Sequence, residues 1–229
     1  MSGAPIDGRL LSAACYVRQG AVFADVGTDH GYLPIFLLKE GRIARAILTD
    51  VNSGPLSTAR ANLASEGLST RAELLLTDGA LALEDKGVTD LSVCGMGGEL
   101  IARIVGECGF LRREGVRLIL QPMTKYAALR RLLYSIGFPP THEHYSSSDG
   151  KRYVTLIADY TGECREIDFV TAELGEIGLA RGACEEIKAF LRDREASFSR
   201  ALLGKESAGL PADQERELLL AIRSRIAQI

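Results

Sequence analysis

Three carboxylates sit at matching places in this chain, and they are the residues from which chemistry can start. Asp25 closes the apolar run Ala21-Val22-Phe23-Ala24, Asp50 closes residues 44–49, and Asp78 closes residues 71–77. The first acid leads into Val26-Gly27-Thr28-Asp29-His30-Gly31 and then an amphipathic run from Tyr32 to Lys39. A buried strand, a tight glycine turn and a helix start account for that order. In an open α/β sheet a turn of this kind, at the carboxyl end of the first strand, is where ligands sit. Glycine at 27 and 31 lets backbone and ligand approach closely. Any strand–turn–helix unit shares part of this pattern, and a single strand-end acid is often a solvated cap. Three acids at equivalent positions are more specific.

The spacing suggests what they would hold. A strand-end acid about 20 residues beyond a glycine turn accepts ribose hydroxyls, and Asp50, followed by Val51, lies 23 residues beyond Gly27. Asp78-Gly79 suits the edge of an adenine, the acid taking amino protons while glycine leaves room for the ring. Asp25, with Gly27, Thr28 and Gly31, would meet the ligand's amino-acid end. Pyrophosphate needs amides free of adjacent negative charge, and the G-x-G-x-x-G spacing of dinucleotide sites is absent. A sulfonium, an ammonium and a neutral ribose fit the acids better, so S-adenosylmethionine is the expected cofactor and methyl transfer the expected reaction. The fourth strand leaves through Cys94-Gly95-Met96-Gly97-Gly98, with no charged side chain before Glu99. Cys94 and Gly95 are assigned to the cofactor side. The bare backbone of Met96, Gly97 and Gly98 suits a planar base that must come close, although a flexible turn starting the next helix is the plainer alternative.

The elements that would position these residues follow from periodicity. A helix is expected over 9–19, strands at 21–25, 44–50, 71–77, 89–94 and 116–121, and helices at 32–39, 52–66, 99–107 and 124–136. An antiparallel hairpin, 140–147 with 151–160, turns at Ser148-Asp149-Gly150. Repeated strand–helix alternation makes a doubly wound parallel sheet, and the terminal hairpin suits a Rossmann-like, seven-stranded methyltransferase sheet. From about 165 strand-like runs vanish. Ile187, Phe190, Leu191, Phe198 and Leu202 recur at helical spacing, as do Leu219, Ile222 and Ile226 after a break at 204–211. The expected domains are therefore residues 1–162, the α/β unit, and 163–229, a helical hairpin.

Composition limits the function classes. In 229 residues, 46% are hydrophobic and 25% charged, as in ordinary globular chains. No apolar run approaches the length of a membrane span, and the N-terminus has no export pattern. Five cysteines without a C-x-x-C pair, and three histidines without metal spacing, argue against a zinc site or a disulfide framework. Reduced thiols in a cytoplasm are the expectation. A net charge of −3 excludes a general polycation but not a local basic face. Charges balance over 1–160 while 161–229 carries the net −3, so if RNA is bound the first part is the expected surface. Its candidate cations are Arg9, Arg112, Arg113, Arg117, Lys125, Arg130, Arg131, Lys151 and Arg152.

These stretches together resemble the bacterial tRNA (adenine-22-N1)-methyltransferase family. The resemblance rests on Arg9-Leu10, on 24–34 (ADVGTDHGYLP), on Gly54-Pro55, Asp78-Gly79 and Gly95-Met96-Gly97-Gly98, on 118–122 (LILQP), and on Asp149-Gly150-Lys151. Departures are Asp50 where the family usually has Glu, and Met123 where it has Asn. The resemblance implies a seven-stranded cofactor domain followed by a helical, coiled-coil-like one, with methylation at N1 of an adenine in the tRNA D-arm. It also implies a base splayed out of its stack, because N1 lies on the Watson–Crick edge. Asp29 is then the acid expected to face charge on the base, with His30 and Tyr32 orienting it or stacking. Arg9, Gln121 and Pro122 join the 96–98 loop on the substrate side. Rival expectations are methylation of another RNA, a protein or a small molecule, or a non-catalytic RNA-binding module of the same fold.

Overall fold

The structure is a computed structural model, and it describes residues 6–229. Helix α1 (Gly8–Ala14) leads into strand β1 (Val22–Val26), α2 (Tyr32–Lys39), β2 (Arg45–Asp50), α3 (Ser53–Ser65) and β3 (Ala72–Leu76). Then come β4 (Asp90–Met96), α4 (Gly98–Glu107), β5 (Arg117–Pro122) and α5 (Tyr126–Ser135). The hairpin β6 (Pro140–Ser148) and β7 (Lys151–Asp159) precedes α6 (Phe169–Leu174), β8 (Ala180–Arg181), α7 (Cys184–Ser207) and α8 (Asp213–Gln228).

One sheet holds all the described strands in the order β3-β2-β1-β4-β5-β7-β6-β8. Strands β1 to β5 pair in parallel, and β7 lies antiparallel between β5 and β6. Side-chain alternation splits the core in two. Ala24, Ile47, Leu91, Val93, Leu118 and Leu120 face α4 and α5 on one side. Phe23, Ala46, Leu48 and Ile119 face α1, α2 and α3 on the other. Strands covered on both faces read as continuous apolar runs, which is why they are visible in the sequence.

Three expectations need correction. The sheet has eight strands rather than seven, because Ala180-Arg181 pairs with Glu143-His144 at the edge of β6; two residues are too few to leave a periodic signal. The first helix ends at Ala14, not 19. A tighter turn at Tyr16 and Val17 frees Arg18, whose amide and guanidinium both bond the buried carboxylate of Asp90. The last helical break is shorter than 204–211, since α7 runs to Ser207. The apolar stripe of the C-terminal helices does not close only on itself. Ile187, Phe190, Leu191, Leu218 and Ile222 join the core on the α4–α5 side of the sheet.

Candidate active site

Chain order reverses between the neighbouring strands β1 and β4. Such a switch point opens a crevice at the carboxyl ends of the strands. A cavity of about 740 Å3 lies there, and Asp25, Asp50 and Asp78 all line it. That volume falls in the usual range for small-molecule sites.

The half over β1, β2 and β3 is built from strand ends held by backbone bonds. Thr49 O accepts the amides of Gly27 (2.8 Å) and Thr28 (3.0 Å), which fixes the turn after β1 against β2. Gly27 has φ 69° and Gly31 φ 74°, so neither turn position suits a side chain. Asp50 Oδ1 accepts the amide of Asn52 at 2.9 Å, which orients the carboxylate at the start of α3. Asp25 is buried, and Thr28 Oγ1 (2.7 Å) and Ser92 Oγ both donate to it. Burial pushes its carboxyl up to about 6, against those two hydrogen bonds and the charge of Arg9, with Asp50 adding to the rise. Asp78 is exposed, and Arg103 from α4 grips it at 3.0 and 3.3 Å. Burial, and then the charge of Asp25, raises the Cys94 thiol well above its ordinary range, so it meets a ligand as a neutral group.

The half over β4, β5 and β7 is apolar with one cation. Gly95, at φ 80°, is the extra residue of a β-bulge, since Cys94 pairs Gln121 and Met96 pairs Pro122. The bulge aims Met96 back over the glycine turn, where its Cε lies 2.0 Å from the place a Cβ on Gly27 would occupy. Arg9 reaches in from α1, its Nη1 donating to Gln121 Oε1 at 3.3 Å. Gln121 in turn donates to Arg9 O and Thr155 Oγ1, so a buried amide couples α1 to the sheet. Asp29 stands at the mouth, 70% exposed and in the left-handed region at φ 53°, a conformation that Asp and Asn tolerate best among side-chain-bearing residues.

Of the residues singled out in the sequence, Arg9, Asp25, Gly27, Thr28, Asp29, Tyr32, Asp50, Val51, Asp78, Gly79, Cys94, Gly95 and Met96 line this cavity. The others do not. His30 stands behind Asp29, its Nε2 3.4 Å from the carboxylate and its ring 5.5 Å from that of Tyr32. Gly31 serves packing instead: a Cβ there would sit 3.2 Å from both Ala59 and Leu48. Gly97 abuts Thr124, and Gly98 lies against the backbone of Thr124 and Lys125, so both let α4 start close to that loop. Gln121 and Pro122 are buried beneath the floor.

Sequence reasoning missed Thr49, Thr77, Leu100, Arg103 and Tyr153 as wall residues, and noted Met123 only as a departure from the family. The two threonines each precede a strand-end acid, a signal that was available. The others arrive from elements whose rotation only packing sets. The proposed basic face also divides. Lys125, Lys151 and Arg152 lie at the carboxyl edge of the sheet with Arg9, whereas Arg113 and Arg117 bond Val88 O and Asp159 at the opposite edge. Arg130 is wholly buried against Glu143.

Comparison with known proteins bears on this site. A model of the methyltransferase-domain family matches residues 6–156. A tRNA (adenine(22)-N(1))-methyltransferase of Bacillus subtilis (strain 168) is 30% identical over 222 residues, covering 95% of this chain and 92% of that one. A crystal structure of a Streptococcus pneumoniae protein, proposed to be a tRNA (m1A22) methyltransferase, superposes with TM-score 0.82 at 29% identity, over 97% of this chain and 100% of the other. A structure of that protein in complex with S-adenosyl-L-methionine superposes with TM-score 0.81 at 30% identity, with the same coverage.

Proposed function

We infer the reaction from family membership: this chain belongs to the tRNA (adenine(22)-N(1))-methyltransferases, within the methyltransferase-domain family. It is an S-adenosyl-L-methionine-dependent enzyme that methylates N1 of an adenine in tRNA, which we assign to position 22. The observation that carries this reading is the three-acid cavity at the switch point, whose chemistry fits a cationic, ribose-bearing donor.

The residues fit that cofactor. Asp50 presents an oriented carboxylate to the ribose, with Val51 beside it, and Asp78-Gly79 sits where the adenine edge would lie. Asp25, Gly27, Thr28 and the Cys94-Gly95 backbone border the amino-acid end. When bound, S-adenosyl-L-methionine supplies an electrophilic methyl group on a sulfonium.

Neutral adenine N1 carries a lone pair, so no protein group has to remove a proton before attack. The methyl moves from sulfur to N1, and the positive charge moves from the sulfonium to the base. The protein's task is then to hold the base and stabilise that charge. Asp29, at the mouth with an exposed carboxylate, takes the catalytic role, with His30 and Tyr32 as its neighbours. Arg9 suits a phosphate flanking the flipped nucleotide, because a guanidinium set against N1 would oppose the forming charge. Gln121, with Pro122, acts by holding Arg9, and Gly97-Gly98 by shaping the loop under the base.

No described helix is long and apolar enough to cross a membrane, and we place the enzyme in the cytoplasm with its tRNA. We treat residues 1–162 as the methyl-transfer unit, with 163–229 adding β8 to its sheet and the helical hairpin of α7 and α8 to its core.

Incubation with labelled cofactor and unmodified tRNA transcripts, followed by primer extension, tests the reading. A new stop opposite an N1-methylated adenine 22 is the expected outcome. Transfer to protein or small molecules, with none to tRNA, would overturn it.

A further inference from the structure

Tyr153 is buried, 7% exposed, and lies outside the two apolar clusters that cover the faces of the sheet. Its side chain lines the wall of the active-site cavity. Its neighbours along the rim follow from register. Strand β7 pairs antiparallel with β5 through Leu120 opposite Leu156, and the Gln121 to Thr155 side-chain bond extends that pairing. Continuing the register sets Met123 abreast of Tyr153. The amide of Met123 donates to Met96 O at 2.8 Å, so Met96 is the next residue in the row. The backbones of Met96, Met123 and Tyr153 thus form a row across the ends of β4, β5 and β7. All three line the half of the cavity that carries none of the three strand-end acids.

We propose that Tyr153 is the platform on which the target adenine stacks, with Met123 and Met96 completing an apolar slot for the base. A flipped base needs a flat, dry surface to replace the stacking it lost, and an aromatic ring supplies it whatever the base. The thioethers of Met96 and Met123 adapt to the ring edge and carry no charge that would compete with the one forming on N1. Met96 borders both this slot and the Gly27 turn, so the slot opens directly onto the cofactor half of the cavity. The inference rests on the tRNA adenine reading above.

The test uses the full-length enzyme and its Tyr153→Phe and Tyr153→Ala variants. Stacking on an aromatic is worth roughly tenfold to a hundredfold in affinity. Tyr153→Ala should lose that much in kcat/KM for tRNA while calorimetry shows wild-type affinity for S-adenosyl-L-methionine. Tyr153→Phe should stay within about twofold of wild type, since it keeps the ring. A transcript carrying 2-aminopurine at the target position reads the slot without turnover: quenching on wild type and Tyr153→Phe, and bright fluorescence on Tyr153→Ala. Unchanged kcat/KM in Tyr153→Ala, a matching loss in Tyr153→Phe, or a parallel fall in cofactor affinity would each overturn the slot. Quenching on wild type without methyl transfer would sink the reaction and leave the slot standing.

Discussion

Asp29 and Asp25 are four residues apart and have opposite environments. Asp29 projects at the mouth from a left-handed backbone position, and Asp25 is buried under two hydroxyl donors. Asp29→Asn keeps the side-chain shape and tolerates the same backbone, so it isolates the charge. We expect kcat to fall about a hundredfold, the usual effect of removing one preorganised electrostatic partner, while cofactor affinity holds. Wild-type turnover would remove Asp29 from the chemistry. For Asp25 the sign follows from its raised carboxyl, about 6 in the fold against 3.8 for an unperturbed one. Between those values the folded protein binds the extra proton, so the cost of ionising Asp25 is absent below about 3.8 and grows until about 6. A cationic ligand favours the ionised form, and its binding must release that proton. Affinity for S-adenosyl-L-methionine should therefore rise with pH through about 6 and level off above 7. In Asp25→Asn the dependence should be flat, which titration calorimetry across pH would check.

The loop between β4 and α4 works as an element because it is tied to the loop after β5. Met123 N bonds Met96 O and Gly98 N bonds Thr124 O, both at 2.8 Å. Gly98 is the residue that permits this contact. A Cβ there would lie 2.3 Å from Lys125 O and 2.7 Å from Thr124 O, and backbone cannot swing aside as a side-chain tip can. Gly98→Ala should thus displace the loop under the base, costing about 1–3 kcal/mol, as overpacking ordinarily does. The expected readout is a melting temperature lower by several degrees with a larger loss of tRNA turnover. Retention of both would show that the two loops separate easily. The sequence suggested the glycine run as a bare approach for a base. Its use in close packing of a helix start on a neighbouring loop was not legible, because that loop lies more than 20 residues away in sequence.

At the scale of the molecule, one buried ion pair joins the sheet to the C-terminal helices. Arg130 from α5 meets Glu143 from β6 in two bonds, of 2.9 and 2.8 Å, and also donates to the carbonyls of Ala172 and Glu173 in α6. Glu143 further accepts from Tyr145, and the chain turns at Gly175 so tightly that a Cβ would overlap the carboxylate. Glu143→Gln leaves the guanidinium buried without a counter-charge, which costs about 3–5 kcal/mol. The melting temperature should drop on the order of 10 °C, and hydrogen exchange should quicken first in α6 and β8. An unchanged melting curve would mean that the pair does not hold this junction. In the sequence Arg130 was grouped with cations for RNA, because nothing local marks an arginine whose partner lies on another strand.

What the sequence by itself determined was the order of strands and helices from α1 to the β6–β7 hairpin, the acid at the end of each of three strands, and the glycine turns between them. Those features are local: hydrophobic periodicity and turn chemistry act over a few residues, so they can be read from a single chain. Only the tertiary structure decided which of these residues face one cavity. Asp25, Asp50 and Asp78 come together because parallel strands end at one edge, whereas Gly31 and Gln121 turn away into packing and His30 stands behind Asp29. The same long-range pairing carried Arg9 in from α1 and Tyr153 from β7. Their positions depend on strand register and helix rotation, and packing between distant elements sets both.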